Sequence, residues 1–226
     1  MEPLKCPMSH PQPHPLKRVP APAAVGRLPV DETRGYPVPW FVAWIAGRPE
    51  FRVADGDKLN RAILERRCWV CGEKLNNRVA FTVGPMCTIS RISAAPPAHI
   101  ECAEYSVKVC PFLSRPAMVR REGGLPEEAT VAGTMIVRNP GVVAIWTTKS
   151  PGFHLLVTPT GILFQIQDPV AVSWWREGRA ATRAEVQESI ESGLPALRDI
   201  AARQGPLAVD ELLEATLAAD KFFPAA

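Results

Sequence analysis

Three cysteines and one histidine in the middle of the chain have the spacing of a metal site. Cys68 and Cys71 form a Cys-Trp-Val-Cys step, and His99 and Cys102 form a His-Ile-Glu-Cys step further along the chain. Each step places two donors within reach of one cation, and Zn2+ binds thiolate sulfur and imidazole nitrogen tetrahedrally. Because protein groups would take all four positions, the pattern predicts a structural zinc site of the Cys3His type.

The residues around these donors predict a turn and a helix that direct them to one point. Pro96 and Pro97 precede His99, and proline is favoured at the first position of a helix, so a helix is expected to start near Pro97. On this helix His99 and Cys102 would share one face of the first turn. On the other side, Gly72 follows the second thiolate and can supply the positive φ angle of a tight turn.

The segment between the two donor pairs predicts a short β-hairpin. Residues 78–83 alternate apolar and polar side chains, residues 88–92 do the same, and Gly84-Pro85 lies between them. A knuckle, a hairpin and a helix that carries the last two ligands therefore follow one another. The zinc unit is expected to begin at Cys68 and to end near Pro111.

This order of elements resembles that of treble-clef zinc fingers. The ligand motifs, taken with Gly84-Pro85-Met86 and Cys110-Pro111-Phe112-Leu113, also resemble a family of uncharacterised phage and prophage proteins. The first resemblance implies a bound zinc ion in a nucleic-acid binder, a protein-interaction module or an HNH-type endonuclease. The second carries no assigned activity, so neither resemblance implies one particular function.

The remaining cysteines are weaker ligand candidates. Cys87 lies in the predicted hairpin and is the reserve ligand, should His99 not bind the metal. Cys110 would lie about 12 Å further along the helix axis than Cys102. Cys6 is surrounded by prolines that prevent a helical ligand pair. Three disulfides are the alternative use of six cysteines, but that pattern is typical of short secreted chains.

The composition is that of an ordinary globular protein. The chain has 226 residues, of which 46% are hydrophobic and 22% charged, and its mean hydropathy is −0.02. No apolar run reaches the roughly 18 residues of a membrane span, and no secretory signal pattern precedes the first domain. We expect a cytoplasmic protein without a membrane partner.

Positive charge is concentrated around the predicted zinc unit. Residues 58–121 contain eleven Lys or Arg and four Asp or Glu, whereas residues 122–226 contain eight and thirteen. A basic segment of this kind indicates an anionic partner such as DNA or RNA. The alternative is that the cations only neutralise the thiolates. The arginines expected to form the nucleic-acid-binding surface are Arg61, Arg66, Arg67, Arg78, Arg91, Arg115, Arg120 and Arg121.

The chain divides into three expected parts of an α+β protein. Residues 1–35 hold eight prolines and predict a disordered arm. Residues 36–121 predict a hairpin around Gly47-Arg48-Pro49, a helix from Asp55 to Arg67, and the treble-clef zinc unit. Residues 122–226 predict a small antiparallel sheet followed by helices.

Four strands and three helices are expected in the last part. The strands span residues 134–137, 142–147, 153–157 and 162–166. A capping box opens a helix at Thr182 that is expected to stop at Gly193. Further helices should begin at Pro195 and Pro206. The apolar stripe expected to bury the last helix consists of Val209, Leu212, Leu213 and Leu217.

The leading functional hypothesis is a zinc-stabilised binding module that contacts nucleic acid. An HNH-like nuclease is the enzyme alternative, although no histidine lies between Gly72 and Ala98 to act as its base. A zinc deaminase would need its Cys-x-x-Cys after the histidine rather than before it. A protein-interaction or inhibitor protein acting through the acidic C-terminal half is the third class. Trp174 and Trp175 are either buried at a seam or partly exposed as contact residues.

Overall fold

The computed structural model of the chain describes residues 19–115, 118 and 139–225. These residues form helices and strands, and a short 3-10 turn, Asp220–Phe222, follows the last helix. In chain order the elements are α1 (Ala23–Gly26), β1 (Val30–Asp31), β2 (Tyr36–Pro37), β3 (Val42–Ile45), β4 (Arg48–Ala54), α2 (Gly56–Leu64), β5 (Arg78–Val83), α3 (Pro85–Ser90), β6 (Ile92–Ser93), α4 (Ile100–Val109), α5 (Pro111–Ser114), β7 (Val143–Lys149), β8 (Phe153–Thr158), β9 (Gly161–Ile166), β10 (Ala171–Arg176), β11 (Arg179–Ala180), α6 (Arg183–Gln204) and α7 (Pro206–Ala219).

A four-stranded antiparallel sheet forms the centre of the fold. Its strand order is β11-β10-β7-β5, and β7 is buried along all but its last residue. β5 pairs with β7 from Arg78 opposite Lys149 to Val83 opposite Ala144. The sequence places β5 in the expected zinc unit and β7 in the expected second domain. The described parts of the segments on either side of the expected boundary near residue 121 therefore share one sheet.

The two faces of this sheet carry separate apolar clusters. Val79, Phe81, Trp146 and Trp174 face the larger cluster, which also takes residues from α3, α6 and α7. The opposite face packs against α4 and includes the half-buried Trp175. Adjacent strand residues point to opposite faces, so Trp174 and Trp175 pack on different sides of the sheet.

A second, three-stranded antiparallel sheet packs against the larger cluster. Its order is β6-β9-β8, and β8 and β9 form the hairpin that the sequence predicts around Thr158 to Gly161. The predicted hairpin of residues 78–83 with residues 88–92 is wrong. Residues 85–90 form α3 instead, because Pro85 takes the first helical position after Gly84. β5 pairs with β7, and β6 pairs with β9.

Helix α6 begins at the predicted capping box but continues further than predicted. The Thr182 hydroxyl accepts from the Glu185 N–H, and the Glu185 carboxylate accepts from the Thr182 N–H. The helix continues through Gly193 and Pro195 to Gln204. At Gly193 an added Cβ would lie 2.9 Å from the Met86 sulfur, so this glycine permits close packing against α3 rather than ending the helix.

Helix α7 buries a different face from the one expected. Of the four residues of the predicted stripe, only Leu212 packs against the core. Val209, Leu213 and Leu217 are 44%, 59% and 70% exposed. The helix instead buries the side that carries Ala215 and Ala219.

The N-terminal region is ordered where the structure describes it. Residues 1–18 of the expected disordered arm lie outside the described residues. Within 19–35, α1 buries Val25 against Cys68 and Cys102, and β1 pairs with β2. In this part of the expected disordered arm, one apolar side chain lies in the metal-donor cluster despite the surrounding prolines.

An antiparallel ribbon and helix α2 lead the chain to the donor residues. β3 and β4 pair around a turn at Ala46 and Gly47, and the Asp55 carboxylate caps α2 by accepting from the Lys58 N–H. The helix ends at Leu64 rather than at Arg67. Arg66 has a φ angle of 54°, which turns the chain out of the helix. Across the described ranges no helix is long and apolar enough to cross a bilayer.

Candidate metal centre

The four predicted donor residues lie together in the folded chain. Their ligand atoms, the sulfurs of Cys68, Cys71 and Cys102 and a ring nitrogen of His99, all lie within 4.8 Å of one another. All four residues are buried, with exposed fractions between 0% and 6%. Buried polar groups this close together form a group that could hold one metal ion.

The distances within the group fit a tetrahedral shell. Nδ1 of His99 lies 3.4 Å from Sγ of Cys71 and 4.0 Å from Sγ of Cys102. A metal with bonds of about 2.3 Å to sulfur and about 2.05 Å to nitrogen would set such an edge at about 3.6 Å. The observed separations lie on either side of that value, so a small adjustment would close the shell.

The first donor pair is held by a tight turn of the backbone. The Gly72 N–H donates to the Cys68 carbonyl at 2.8 Å, and the Cys68 N–H donates to the Glu73 carbonyl at 2.7 Å. The Arg67 guanidinium donates to the Gly72 carbonyl at 2.9 Å. Gly72 has a φ angle of 78°, and a Cβ there would lie 2.6 Å from the Trp40 ring. Both the turn and the close aromatic ring therefore require glycine.

The second donor pair lies at the start of α4, as the sequence predicts. His99 is the N-cap residue and Cys102 lies in the first turn of the helix. The helix begins at Ile100 rather than at Pro97. The Trp69 N–H donates to the Pro97 carbonyl at 3.1 Å, which joins the knuckle directly to the segment before the helix.

The His99 ring is oriented by a backbone carbonyl. Its Nε2 lies 2.9 Å from the carbonyl oxygen of Lys74, and this contact requires a proton on Nε2. Nδ1 then presents its lone pair to the sulfurs. The Cys71 side chain raises the pKa of His99, against the opposing effect of burial. A histidine held in this way is typical of metal ligands, whose second ring nitrogen donates to an outer partner.

The surroundings of the Cys68 sulfur stabilise its thiolate form. It accepts from the backbone N–H of Cys71 at 3.5 Å and of His99 at 3.3 Å. Hydrogen bonds from Cys102 and Cys71 lower the pKa of Cys68, whereas Cys68 and Cys71 raise the pKa of Cys102. Three sulfurs this close cannot all ionise without a cation. A divalent metal would supply the missing positive charge.

Cys87 and Cys110 lie outside the donor group. Cys87 is on α3, where burial raises the pKa of its thiol. Cys110 follows α4 at its C-terminal end, and burial raises its pKa as well. Cys6 lies outside the described residues. The reserve role considered for Cys87 is therefore not supported by its position.

Three of the arginines expected on a nucleic-acid surface are paired with carboxylates. Arg61 and Arg67 both contact Glu65, at 3.0 Å and 2.5 Å. Arg91 contacts Asp168 at 2.7 Å, and its guanidinium also lies over the Trp146 ring. These side chains are used in holding the fold.

The other five predicted arginines have different surroundings. Arg66 donates to the Ser150 hydroxyl at 2.5 Å, and Arg78 is exposed at the start of β5. Arg115 is half-buried at the end of α5, where its carbonyl accepts from the Asn139 amide. Arg120 and Arg121 lie outside the described residues.

The structure places a lysine next to Arg66 and Arg78. Lys149 lies directly opposite Arg78 in the β5–β7 ladder, and the Ser150 hydroxyl beside it accepts from Arg66. We name Arg66, Arg78 and Lys149 the basic cluster. None of the three forms an ion pair with any residue that the structure describes, unlike Arg61, Arg67 and Arg91. No local signal in the sequence identifies Lys149, since only strand pairing brings it here.

The basic cluster lies next to the metal group. The Leu75 N–H donates to the Arg66 carbonyl, and Lys74, one residue earlier, supplies the carbonyl that orients His99. β5 begins three residues after Leu75, at Arg78. A bound metal would therefore stabilise the segment that positions two of the three cations.

No protein-family model, curated protein or solved structure matches this chain.

Proposed function

We propose that this protein is a non-catalytic binding protein, stabilised by a structural zinc ion, whose basic cluster contacts the phosphate backbone of a nucleic acid. Zinc is the metal that best suits the donor set. Three thiolates and one imidazole are soft to borderline ligands, which exclude magnesium and calcium, and the separations suit a tetrahedral ion. Cys68, Cys71, His99 and Cys102 would be the four ligands.

A structural role for the ion follows from the completeness of this shell. Catalytic zinc keeps a position open for water or substrate, whereas four protein donors fill a tetrahedral shell. His154, the other histidine that the structure describes, lies on β8 and contacts Gln167. Glu101, which would be the acid of a deaminase, is exposed in the first turn of α4. The nuclease and deaminase alternatives therefore gain no support from the site.

The treble-clef resemblance is retained as part of this proposal. The knuckle and the ligand-bearing first turn of α4 support it. The expected hairpin between them is replaced by β5 and α3. β5 is joined to the ligand segment by mutual backbone hydrogen bonds of Ala80 and Ala98, at 2.9 Å and 2.8 Å. The proposed zinc unit is thus built into the central sheet rather than separate from it.

The pairing of Arg78 with Lys149 is the observation that carries the proposed nucleic-acid contact. Like charges directly opposite one another in a ladder are unfavourable, and neither side chain forms an ion pair with a described carboxylate. An anionic ligand would remove this repulsion. The cluster is an exposed group of long cationic side chains rather than an enclosed pocket. Such a surface suits a polymer of phosphates, on which several weak contacts add together.

The experiment compares two double variants in binding to duplex DNA and single-stranded RNA over a range of salt concentrations. Replacing Arg78 and Lys149 by glutamine should lower the affinity. On duplex DNA it should also reduce the slope of log affinity against log salt by about 1.8, at about 0.9 for each lost phosphate contact. The control replaces Arg198 and Arg203, two exposed arginines of α6, and removes the same charge elsewhere.

Equal losses in the two double variants would show that net charge alone drives binding, and would contradict the assignment to the basic cluster. Absence of binding to both nucleic acids in low salt would contradict the proposed function as a whole. Zinc content measured on every sample excludes loss of the metal as the cause.

A further inference from the structure

Helix α7 exposes an apolar face that the described part of the chain leaves uncovered. Val209, Leu213 and Leu217 follow one another at four-residue intervals, so they lie along one side of the helix. We name these three residues the α7 stripe. Their exposed fractions rise from 44% to 70% along the helix. Single exposed apolar residues are ordinary, but a continuous row on one helix face is typical of an interaction surface.

The stripe residues are not needed to attach the helix to the core. Leu212, Ala215 and Ala219 already pack α7 against the core from the opposite side. Polar residues at the three exposed positions would leave this packing unchanged. The stripe is therefore a second apolar face on a helix that is already anchored.

Acidic residues border the stripe on one side. Asp210 and Glu214 each follow a stripe residue by one position, which places them about 100° around the helix from it. Residues 206–219 include no lysine or arginine. An occupant of this face would have to combine apolar side chains with positive charge.

A second copy of the chain packed antiparallel fits this face poorly. If two α7 helices packed antiparallel about a two-fold axis, stripe against stripe, the acidic rows of both copies would lie on the same side of the interface. Asp210 and Glu214 of one copy would then face their equivalents in the other. Like-charge contacts of this kind disfavour the pairing.

We propose that the α7 stripe docks a basic amphipathic helix of a protein partner. The apolar side of that helix would cover Val209, Leu213 and Leu217, and its lysines or arginines would face Asp210 and Glu214. Helices bind one another in this way through anchors spaced three and four residues apart. The surface is independent of the basic cluster, so the chain would have separate sites for nucleic acid and for protein.

The probe is a synthetic 18-residue amphipathic peptide of leucine and lysine, labelled for fluorescence anisotropy and titrated with the full chain. A second peptide with glutamate in place of every lysine is the charge-reversed probe. The lysine peptide should bind and the glutamate peptide should not. Replacing Leu213 and Leu217 by serine should weaken binding about tenfold or more, because central apolar anchors dominate such interfaces.

Leu207→Ser is the matched control. This leucine is 72% exposed on the same helix but lies outside the α7 stripe, so its loss should leave binding unchanged. Asp210→Asn combined with Glu214→Gln should lower the affinity and flatten its salt dependence. All substituted residues are exposed, and urea unfolding of each variant checks that the fold is retained.

Three results would overturn the proposal. The first is equal binding of the lysine peptide to the parent chain and to the Leu213→Ser, Leu217→Ser variant. The second is no binding of this peptide at all. The third is a dimer in sedimentation velocity that the same substitutions abolish, since a second copy would then be the occupant.

Discussion

Replacing Gly72 by alanine should loosen the knuckle that carries Cys68 and Cys71. Two separate features of the position oppose any side chain. Its φ angle of 78° lies in the left-handed region, and an alanine Cβ would lie 2.6 Å from two atoms of the Trp40 ring. The backbone of Trp40 is tied to the knuckle, because the backbone N–H of Trp40 donates to the Val70 carbonyl at 2.7 Å.

The expected fall in the free energy of unfolding can be divided between these two features. A left-handed conformation costs alanine about 1–2 kcal/mol. Forcing an additional carbon against a packed ring costs about 1–3 kcal/mol more. The free energy of unfolding should therefore fall by about 2–5 kcal/mol, which is a large part of the stability of an average domain.

Gly35→Ala isolates the conformational part. Gly35 has a φ angle of 74°, and a Cβ there would meet no atom within 4 Å. This variant should lose only about 1–2 kcal/mol. Urea unfolding followed by tryptophan fluorescence gives both values, and release of metal to a coloured chelator shows whether the knuckle has opened. Equal losses in the two variants would refute the close approach of Trp40 as a constraint on this site.

Three further outcomes are expected. Cys102→Ser should abolish stoichiometric zinc binding and make the region around the donors sensitive to protease, since structural zinc contributes directly to folding; a stable, resistant variant would contradict this. Arg91→Ala should lower the unfolding free energy by about 1–3 kcal/mol in urea titrations without changing zinc content, because the guanidinium lies 4.4 Å from the Trp146 ring centroid and pairs with a carboxylate. The Arg179 guanidinium lowers the pKa of Glu185 from 4.5 to about 2, so the stabilisation is complete above pH 4.5 and is lost as the pH falls toward 2. Glu185→Gln should reduce the pH dependence of stability in that interval, and an unchanged slope would contradict the assignment.

The metal group could be predicted from the sequence because its determinants are local. In each donor pair two residues separate the ligands, which keeps both ligands on one turn of the chain. Only the approach of one pair to the other depends on the rest of the fold. The Thr182 cap of α6 was predictable for the same reason. Its two reciprocal hydrogen bonds involve residues three apart.

The arrangement of the strands could not be predicted in this way. β5 and β7 are separated by about sixty residues, and nothing near Arg78 or Lys149 indicates that they pair. Gly84-Pro85 is compatible with both a hairpin turn and the start of a helix. The helix forms because it buries Ile89 and Met86 in the core. Charge counted along the chain likewise does not show that Arg61, Arg67 and Arg91 are paired with carboxylates.

Helix α7 shows the limit of apolar periodicity. Its leucines and valine predict a buried stripe, but two small residues, Ala215 and Ala219, bring the helix close to the core on another side. Small side chains permit the closest backbone approach, and the larger ones remain exposed. Periodicity predicts that a face is apolar, whereas packing decides which face is covered.

X-ray absorption at the zinc edge, with metal content measured on the same purified full-length sample, tests the proposed centre most directly. We predict one zinc ion per chain, bound by three sulfur atoms at about 2.3 Å and one nitrogen at about 2.05 Å. A chain that is folded without metal, or a zinc ion with fewer than three sulfur neighbours and an oxygen in its shell, would contradict the structural Cys3His centre.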